Sequence, residues 1–455
     1  MYILNRRQFL QNASLISLSA LFPGTSSWAF SNGNINSTNN KLIVILLRGA
    51  IDGLSVVVPY GDNRYYDLRP TIAVAKPGQD QGVIDLNSYF GMHPALAPLL
   101  PFWQAKTLAF VQAAGSPDPT RSHFDAQDYM ETGVPGKKMI TSGWLNRLVC
   151  EIPSNKSPLQ ALSLGAVLPR IFAGAAEVGS APRTISGNKI VLDRPVIGDL
   201  FSELYCDQSS DLGRAYADGM AAHKTIEEAM TEPAKPANSP PAASADTPAQ
   251  FNPFSRSGVV GMGENGGKNS TIDALLAEQK AASRGAPSPK NNGDFGKQLA
   301  LLMNRDNSIQ IAFTDFGGWD THVNQGNGKG QLANRLEPLA AGLAELVDGL
   351  GPLYKQTTIV VMSEFGRTVK ENGNRGTDHG HGNAMWLLGG NISGGKVYGR
   401  WSDLNESNLY QGRDLPATTD FRDVLCYVLN DHLAVSKKSL ANIFPGFTMS
   451  GKALA

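Results

Sequence analysis

The chain has little that would tie it to a charged polymer, a lipid bilayer or a thiolate-held cofactor. Among 455 residues there are three cysteines, Cys150, Cys206 and Cys426. None sits in a Cys-x-x-Cys pair, which argues against a cysteine metal site and leaves room for one disulfide with one thiol over. Net charge is missing too: 40 basic residues balance 40 acidic ones, so nothing favours nucleic acid or an anionic membrane surface as a partner. The apolar run near the N-terminus, Ala13 to Phe22, is short and serine-rich, too weak for a stable membrane span. No internal repeat is visible. Histidine is scarce, seven in all, so the places where imidazoles gather carry information.

What is present begins with a leader. Asn5-Arg6-Arg7-Gln8-Phe9-Leu10 precedes the apolar run, and Ser27-Trp28-Ala29 offers a small-x-small cleavage site. This resembles a twin-arginine (Tat) export signal. Residues 1–29 are therefore expected to be a signal peptide read by the Tat machinery, with the mature protein periplasmic or secreted. Residues 30–40 read as a flexible tether. Residues 41–455 read as one domain carrying an insertion at about 210–293, whose Pro/Ala-rich part, 232–252, is expected to be disordered.

Strand and helix patterns alternate along the domain. Lys41–Leu47 (KLIVILL) and Thr358–Met362 (TIVVM) are nearly unbroken apolar runs, the mark of strands covered on both faces. Ser55–Val58, Thr107–Gln112, Ser308–Phe313 and Met385–Leu388 read as further strands. Helices are predicted from Pro94, near Phe124–Met130, and over Ile197–Ala229, Thr271–Ser283, Asp294–Asn304 and Thr419–Leu433. Gln331–Leu350 is a longer one, with Leu332, Leu336, Leu339, Leu343 and Leu346 on one face and Pro338 inside. The alternation predicts an α/β fold of three layers: a mostly parallel sheet with helices on both faces.

Ligand-type residues follow the strands. Asp52 comes just after the first. Asp315, Asp320 and His322 come after the Ser308–Phe313 segment. Glu364 and Arg367 follow TIVVM, and Asp378, His379 and His381 stand between glycines. Ligands of open α/β sheets bind at the carboxyl ends of the strands. Carboxylate with imidazole suits one or two divalent ions, zinc, manganese or calcium. The expected ligands are Asp52, Asp320, His322, Glu364, Asp378, His379 and His381. Competing roles exist: an Asx turn for Asp52, an ion pair between Glu364 and Arg367, and the orienting of an imidazole by Asp378. Ser122 stands at a helix start, as a cap or as a nucleophile, with Thr120 and His123 beside it as alternative actors. Arg367 is a candidate clamp for an anionic substrate.

The blocks LLRGAIDGLSVVVPYGD, RSHFDAQDYMETG, GGWDTH, SEFGRT and DHGHG, in that order between Leu42 and about Phe447, resemble an exported bacterial family catalogued as domain of unknown function 1501. That family is grouped with the alkaline phosphatase and sulfatase superfamily. The resemblance implies an alkaline phosphatase-like fold and metal-supported hydrolysis of phosphate or sulfate esters, small or polymeric. It implies Asp52 as first-strand ligand, Ser122 in the nucleophile block, Asp320 with His322 as ligands, Glu364 as strand-end acid, and His379 or His381 as last histidine. Phe365 stands where the superfamily has histidine. The Cys-x-Pro-Ser-Arg of sulfatases is absent, which argues against formylglycine chemistry. A non-catalytic metal- or ligand-binding scaffold on the same fold is the alternative.

Overall fold

The computed structural model describes residues 39–155, 157, 159–165, 167–181, 195–207, 209–231, 270–291 and 294–450. The leader, most of the tether and the 232–252 stretch lie outside them. The centre of the fold is β1 (Lys41–Leu47), whose seven residues are all buried. Its even residues Leu42, Val44 and Leu46 enter one apolar cluster, and its odd residues Ile43, Ile45 and Leu47 enter another on the opposite face. A strand that buries both faces needs apolar side chains in both registers, which is why KLIVILL shows no alternation.

Around it lies a nine-stranded sheet. Its other strands are β2 (Leu108–Gly115), β3 (Ala161–Leu164), β4 (Gly179–Ala181), β5 (Ile311–Phe316), β6 (Thr357–Ser363), β7 (Asn383–Gly389), β8 (Lys396–Tyr398) and β9 (Thr419–Asp420). The order is β8-β2-β7-β6-β1-β5-β3-β4, with β9 also on β2. Every pairing is parallel except those of β7, which runs antiparallel to β2 and β6. The carboxyl ends of β1, β2, β5 and β6 therefore share an edge with the amino end of β7.

Helices cover both faces, as the alternation predicts. On one side α3 (Phe295–Arg305) packs with α4 (Ala333–Leu350), and the five leucines read as one helix face, Leu332 just before α4 and four within it, are all fully buried. Each such side chain contributes ~2 kcal/mol of apolar burial. Pro338 lies inside this helix. On the other side α1 (His123–Thr132) supplies Met130, and α5 (Phe421–Asp431) supplies Phe421, Val424, Leu425 and Val428. No described helix is long and apolar enough to cross a membrane. The three cysteines are free.

One reading of the sequence is corrected. Ser55–Val58 is not one strand: Gly53–Val56 forms a helical turn, because the Asp52 carbonyl accepts from Ser55 and Val56, and only Val57–Val58 pair as strand. The described part of the 210–293 segment packs against the rest of the domain. Its Asp211–Thr231 helix buries Ala222 and Ile226 in the core, and its helix α2 (Ser270–Ala282) reaches the edge where the candidate ligands gather.

The turn into the Pro94–Leu99 helix carries a pH-sensitive element. His93 is fully buried, its Nδ1 accepts from Ala95 N at 3.1 Å, and its Nε2 donates to the Asn327 carbonyl at 2.9 Å. Burial pushes its pKa down to about 4 against the raising effects of the Asn327 carbonyl and Asp52. A depressed histidine contributes stability above its unfolded value of 6.5 that is lost as pH falls through the folded value. The expected loss between those limits is roughly 3 kcal/mol. His93→Asn keeps a capping acceptor without the titration. Urea unfolding at pH 7.5 and 4.5 should show a smaller acid-induced loss in the variant; equal losses would refute this assignment.

Candidate metal centre

Four segments far apart in sequence meet at the shared edge. After β2 the chain runs through a loop to Ser122, whose hydroxyl caps α1, and His123 is the first residue of that helix. After β5 the loop Gly317–Gly318 leads to Asp320 and His322. After β6 come Glu364 and Arg367, and before β7 come Asp378 and His379. Gly49 allows the loop after β1 to close over this region. It has φ +114°, and a Cβ there would lie 2.8 Å from the Asp320 backbone nitrogen. Gly380 does the same between Arg367 and His379, where a Cβ would meet the Arg367 carbonyl carbon at 2.4 Å.

Three imidazoles point the same ring nitrogen at one place. His379 Nε2 is 3.0 Å from His123 Nε2 and 3.0 Å from His322 Nε2. The Asp320 carboxylate joins them, with Oδ1 at 3.0 Å from His322 Nε2 and 3.3 Å from His379 Nε2, and Oδ2 at 3.5 Å from His123 Nε2. Asp320 Oδ2 is buried and has no hydrogen-bond donor among the described residues. Donors 2.0–2.1 Å from a tetrahedral ion stand roughly 3.3 Å from one another, and the separations just given run from 3.0 to 3.5 Å.

The far ring nitrogens explain the convergence. His123 Nδ1 meets Glu364 Oε1 at 2.8 Å, His322 Nδ1 meets Asp378 Oδ1 at 3.2 Å, and His379 Nδ1 meets the Arg121 carbonyl at 2.9 Å. Each of these partners is an acceptor, so the Nδ1 side of each ring takes a proton and Nε2 is the atom left to face a cation, whether a metal ion or a shared proton. Three lone pairs and a carboxylate directed at one another are favourable only around positive charge. The surroundings show the same preference. Burial opposes charging His123, yet its contacts with Asp320 and Glu364 raise it to about 9. Burial likewise opposes ionising Asp320, but its contacts with the three histidines and Arg367 hold it well below the usual carboxylate range.

The other expected residues fall into place around this group without all joining it. Glu364 is fully buried and accepts from His123, from Gln127 Nε2 at 2.9 Å and from Gly49 N at 2.7 Å. It stands behind His123. Asp378 stands behind His322. Arg367 is buried and spends its guanidinium on Asp320 and Thr377, so it steadies a carboxylate and does not face a substrate. Asp52 is placed elsewhere. Arg69 grips both its oxygens, at 2.6 and 3.0 Å, while Ser55 and Gln325 each donate to it at 2.7 Å. His381 stacks on Tyr410 at 4.8 Å and does not join the group. Ser122 is exposed and accepts from Asp125 N at 3.5 Å.

Two contributors were not read as ligands from the sequence. His123 appeared only as a neighbour of Ser122; its signal was an imidazole at the first position of a helix that follows a strand end. Glu278, on α2, offers a carboxylate oxygen within 4.8 Å of the ligand atoms of Asp320, His322 and His379; His123 adjoins this group of four through His379 and Asp320. Phe365 packs its ring against His123 at 4.9 Å and His379 at 5.2 Å, an apolar wall for the group.

A family model described as protein of unknown function (DUF1501) matches residues 270–444. That span holds Glu278, Asp320, His322, Glu364, Arg367, Asp378 and His379, and stops short of His123. No curated protein and no solved structure matches the chain.

Proposed function

We propose that this chain, a member of the DUF1501 family, is an exported metal-dependent hydrolase of phosphate or sulfate esters built on an alkaline phosphatase-like sheet. The observation that carries the reading is the convergence of three histidine Nε2 atoms and one carboxylate, each imidazole fixed from behind by an acceptor. His123, Asp320, His322 and His379 would hold one divalent ion. Three nitrogens to one carboxylate favour zinc or manganese over calcium, which prefers oxygen donors. The ion would polarise an ester oxygen and acidify the attacking hydroxyl or water.

This chain's own residues supply the rest. Arg367 holds Asp320 in place, and Phe365 screens two of the imidazoles from water. Ser122 stands next to His123 at the amino end of α1, where backbone amides stabilise an alkoxide, and we assign it the attacking hydroxyl. One ion is expected per chain, because Asp52, the first-strand carboxylate that the resemblance implies as a ligand, is neutralised by Arg69.

A non-catalytic scaffold is the second reading, favoured by the use of the Ser122 hydroxyl as a helix cap. Metal analysis of protein recovered from the periplasmic fraction, with phosphomonoester and sulfate-ester turnover measured beside it, separates the two. Ser122→Ala should keep the ion and abolish turnover. Turnover that persists in that variant gives the attack to water. An ion with no turnover on any ester in the wild type leaves the scaffold reading, and recovery of the protein only from the cytoplasm sinks the export assignment.

A further inference from the structure

The donors of the metal centre differ in how firmly they are held. Asp320 is fixed by Arg367, His123 by Glu364, His322 by Asp378 and His379 by the Arg121 carbonyl. Their side chains are 0–15% exposed. Glu278 is built differently. Its side chain is 47% exposed, its Oε1 lies 3.9 Å from His379 Nε2, and no hydrogen bond among the described residues fixes its carboxylate. Yet its backbone position is set. The next residue, Gln279, donates through Nε2 to the Asp320 carbonyl at 2.9 Å and to Gln331 Oε1 at 3.2 Å. The end of the helix is tied by Gln127 Nε2 to the Ala282 carbonyl at 2.6 Å, and by Gly318 N to Ser283 Oγ at 3.0 Å. The helix is thus registered on the loop that carries Asp320, while the Glu278 side chain keeps its rotamer freedom at the solvent side of the centre.

We propose that Glu278 is an exchangeable ligand: its carboxylate closes the solvent-facing side of the centre, and an incoming substrate oxyanion displaces it. The inference rests on the metal reading above. The physical basis is competition for one position. A carboxylate and a phosphate oxygen are both hard anionic donors, and only one of them can sit on the open side of a site already holding three imidazoles and Asp320. Glu278 is tethered and so present at high local concentration, but it gains no hydrogen bond in the closed position to hold it there. The four fixed donors therefore set affinity for the ion, and Glu278 sets affinity for the anion.

The test uses the full chain loaded with cobalt(II), with inorganic phosphate as the probe and the visible cobalt absorption as the readout. Glu278→Gln and Glu278→Ala should keep about one cobalt per chain, shift the cobalt spectrum, and bind phosphate about tenfold more tightly, because a competitor that occupies the position most of the time taxes anion binding by that factor. Cobalt retained with unchanged spectrum and unchanged phosphate affinity overturns the proposal. Cobalt lost from the Glu278 variants as fully as from His379→Ala also overturns it, by making Glu278 a permanent ligand. A wild-type chain that takes up no cobalt removes the metal reading itself, an outcome distinct from the other two.

Discussion

Asp320→Ala should strip the protein of its ion and destabilise it by about 3–5 kcal/mol, the cost of leaving a buried charge without its partner. Asp320 joins two systems: it faces the three Nε2 atoms, and it receives the guanidinium of Arg367, whose side chain is fully buried. Alanine removes a ligand and also leaves Arg367 with only Thr377. Loss of the ion adds to this, by about 3 kcal/mol when the ion is at a hundred times its dissociation constant. His379→Ala removes a ligand without orphaning a buried charge, so it should lose the ion at a smaller stability cost. Metal content and denaturant midpoints for both variants decide the matter. An Asp320→Ala protein that keeps its ion, or that loses less than its His379→Ala counterpart in stability, contradicts this account.

Asp52→Ala should be comparably damaging to the fold yet leave the ion in place. The Asp52–Arg69 pair is buried on both sides, and Arg69 is held further by the Val369 and Thr368 carbonyls. Removing the carboxylate strands the guanidinium, again at about 3–5 kcal/mol. Replacing both members, Asp52→Leu with Arg69→Met, should recover much of that stability, since an apolar pair avoids the desolvation of two charges. If Asp52→Ala instead empties the centre while stability holds, Asp52 is a ligand after all and the position assigned to it by the resemblance is the right one.

That contrast shows where the sequence is legible and where it is not. The sheet reads well because its strands are extreme: KLIVILL and TIVVM bury both faces, and no amphipathic helix is written that way. Strand starts read less well. β5 begins at Ile311 and not at Ser308, because the residues before it turn to meet the Gln160 carbonyl. Asp320, His322 and His379 were visible as candidates, since loops full of glycine, carboxylate and imidazole have few structural purposes. Asp52 looked equivalent, and what sets it apart is a guanidinium 17 residues away that no local pattern announces. His123 was hidden for the opposite reason. A polar residue at a helix start has a ready local explanation, and its long-range partner Glu364 is visible only once β6 is docked beside β1. Glu278 could not be seen because the stretch around it reads as an insertion, while its part in the centre comes from the anchoring of α2 on the Asp320 loop.

The separation of His123 from His379, 256 residues along the chain, has a consequence for the order of events in the cell. At 5–20 residues per second a ribosome needs roughly 10–50 s to make that interval. Throughout it the first imidazole is already synthesised while the donor set is still incomplete. The complete donor set can arise only after β6 has joined β1 and the chain has turned back into β7, so it is among the last parts of the molecule to assemble. An ion bound there would therefore not be a template on which the early chain condenses. An ion held by this set would seal a sheet that has already closed, and its uptake would mark the end of folding.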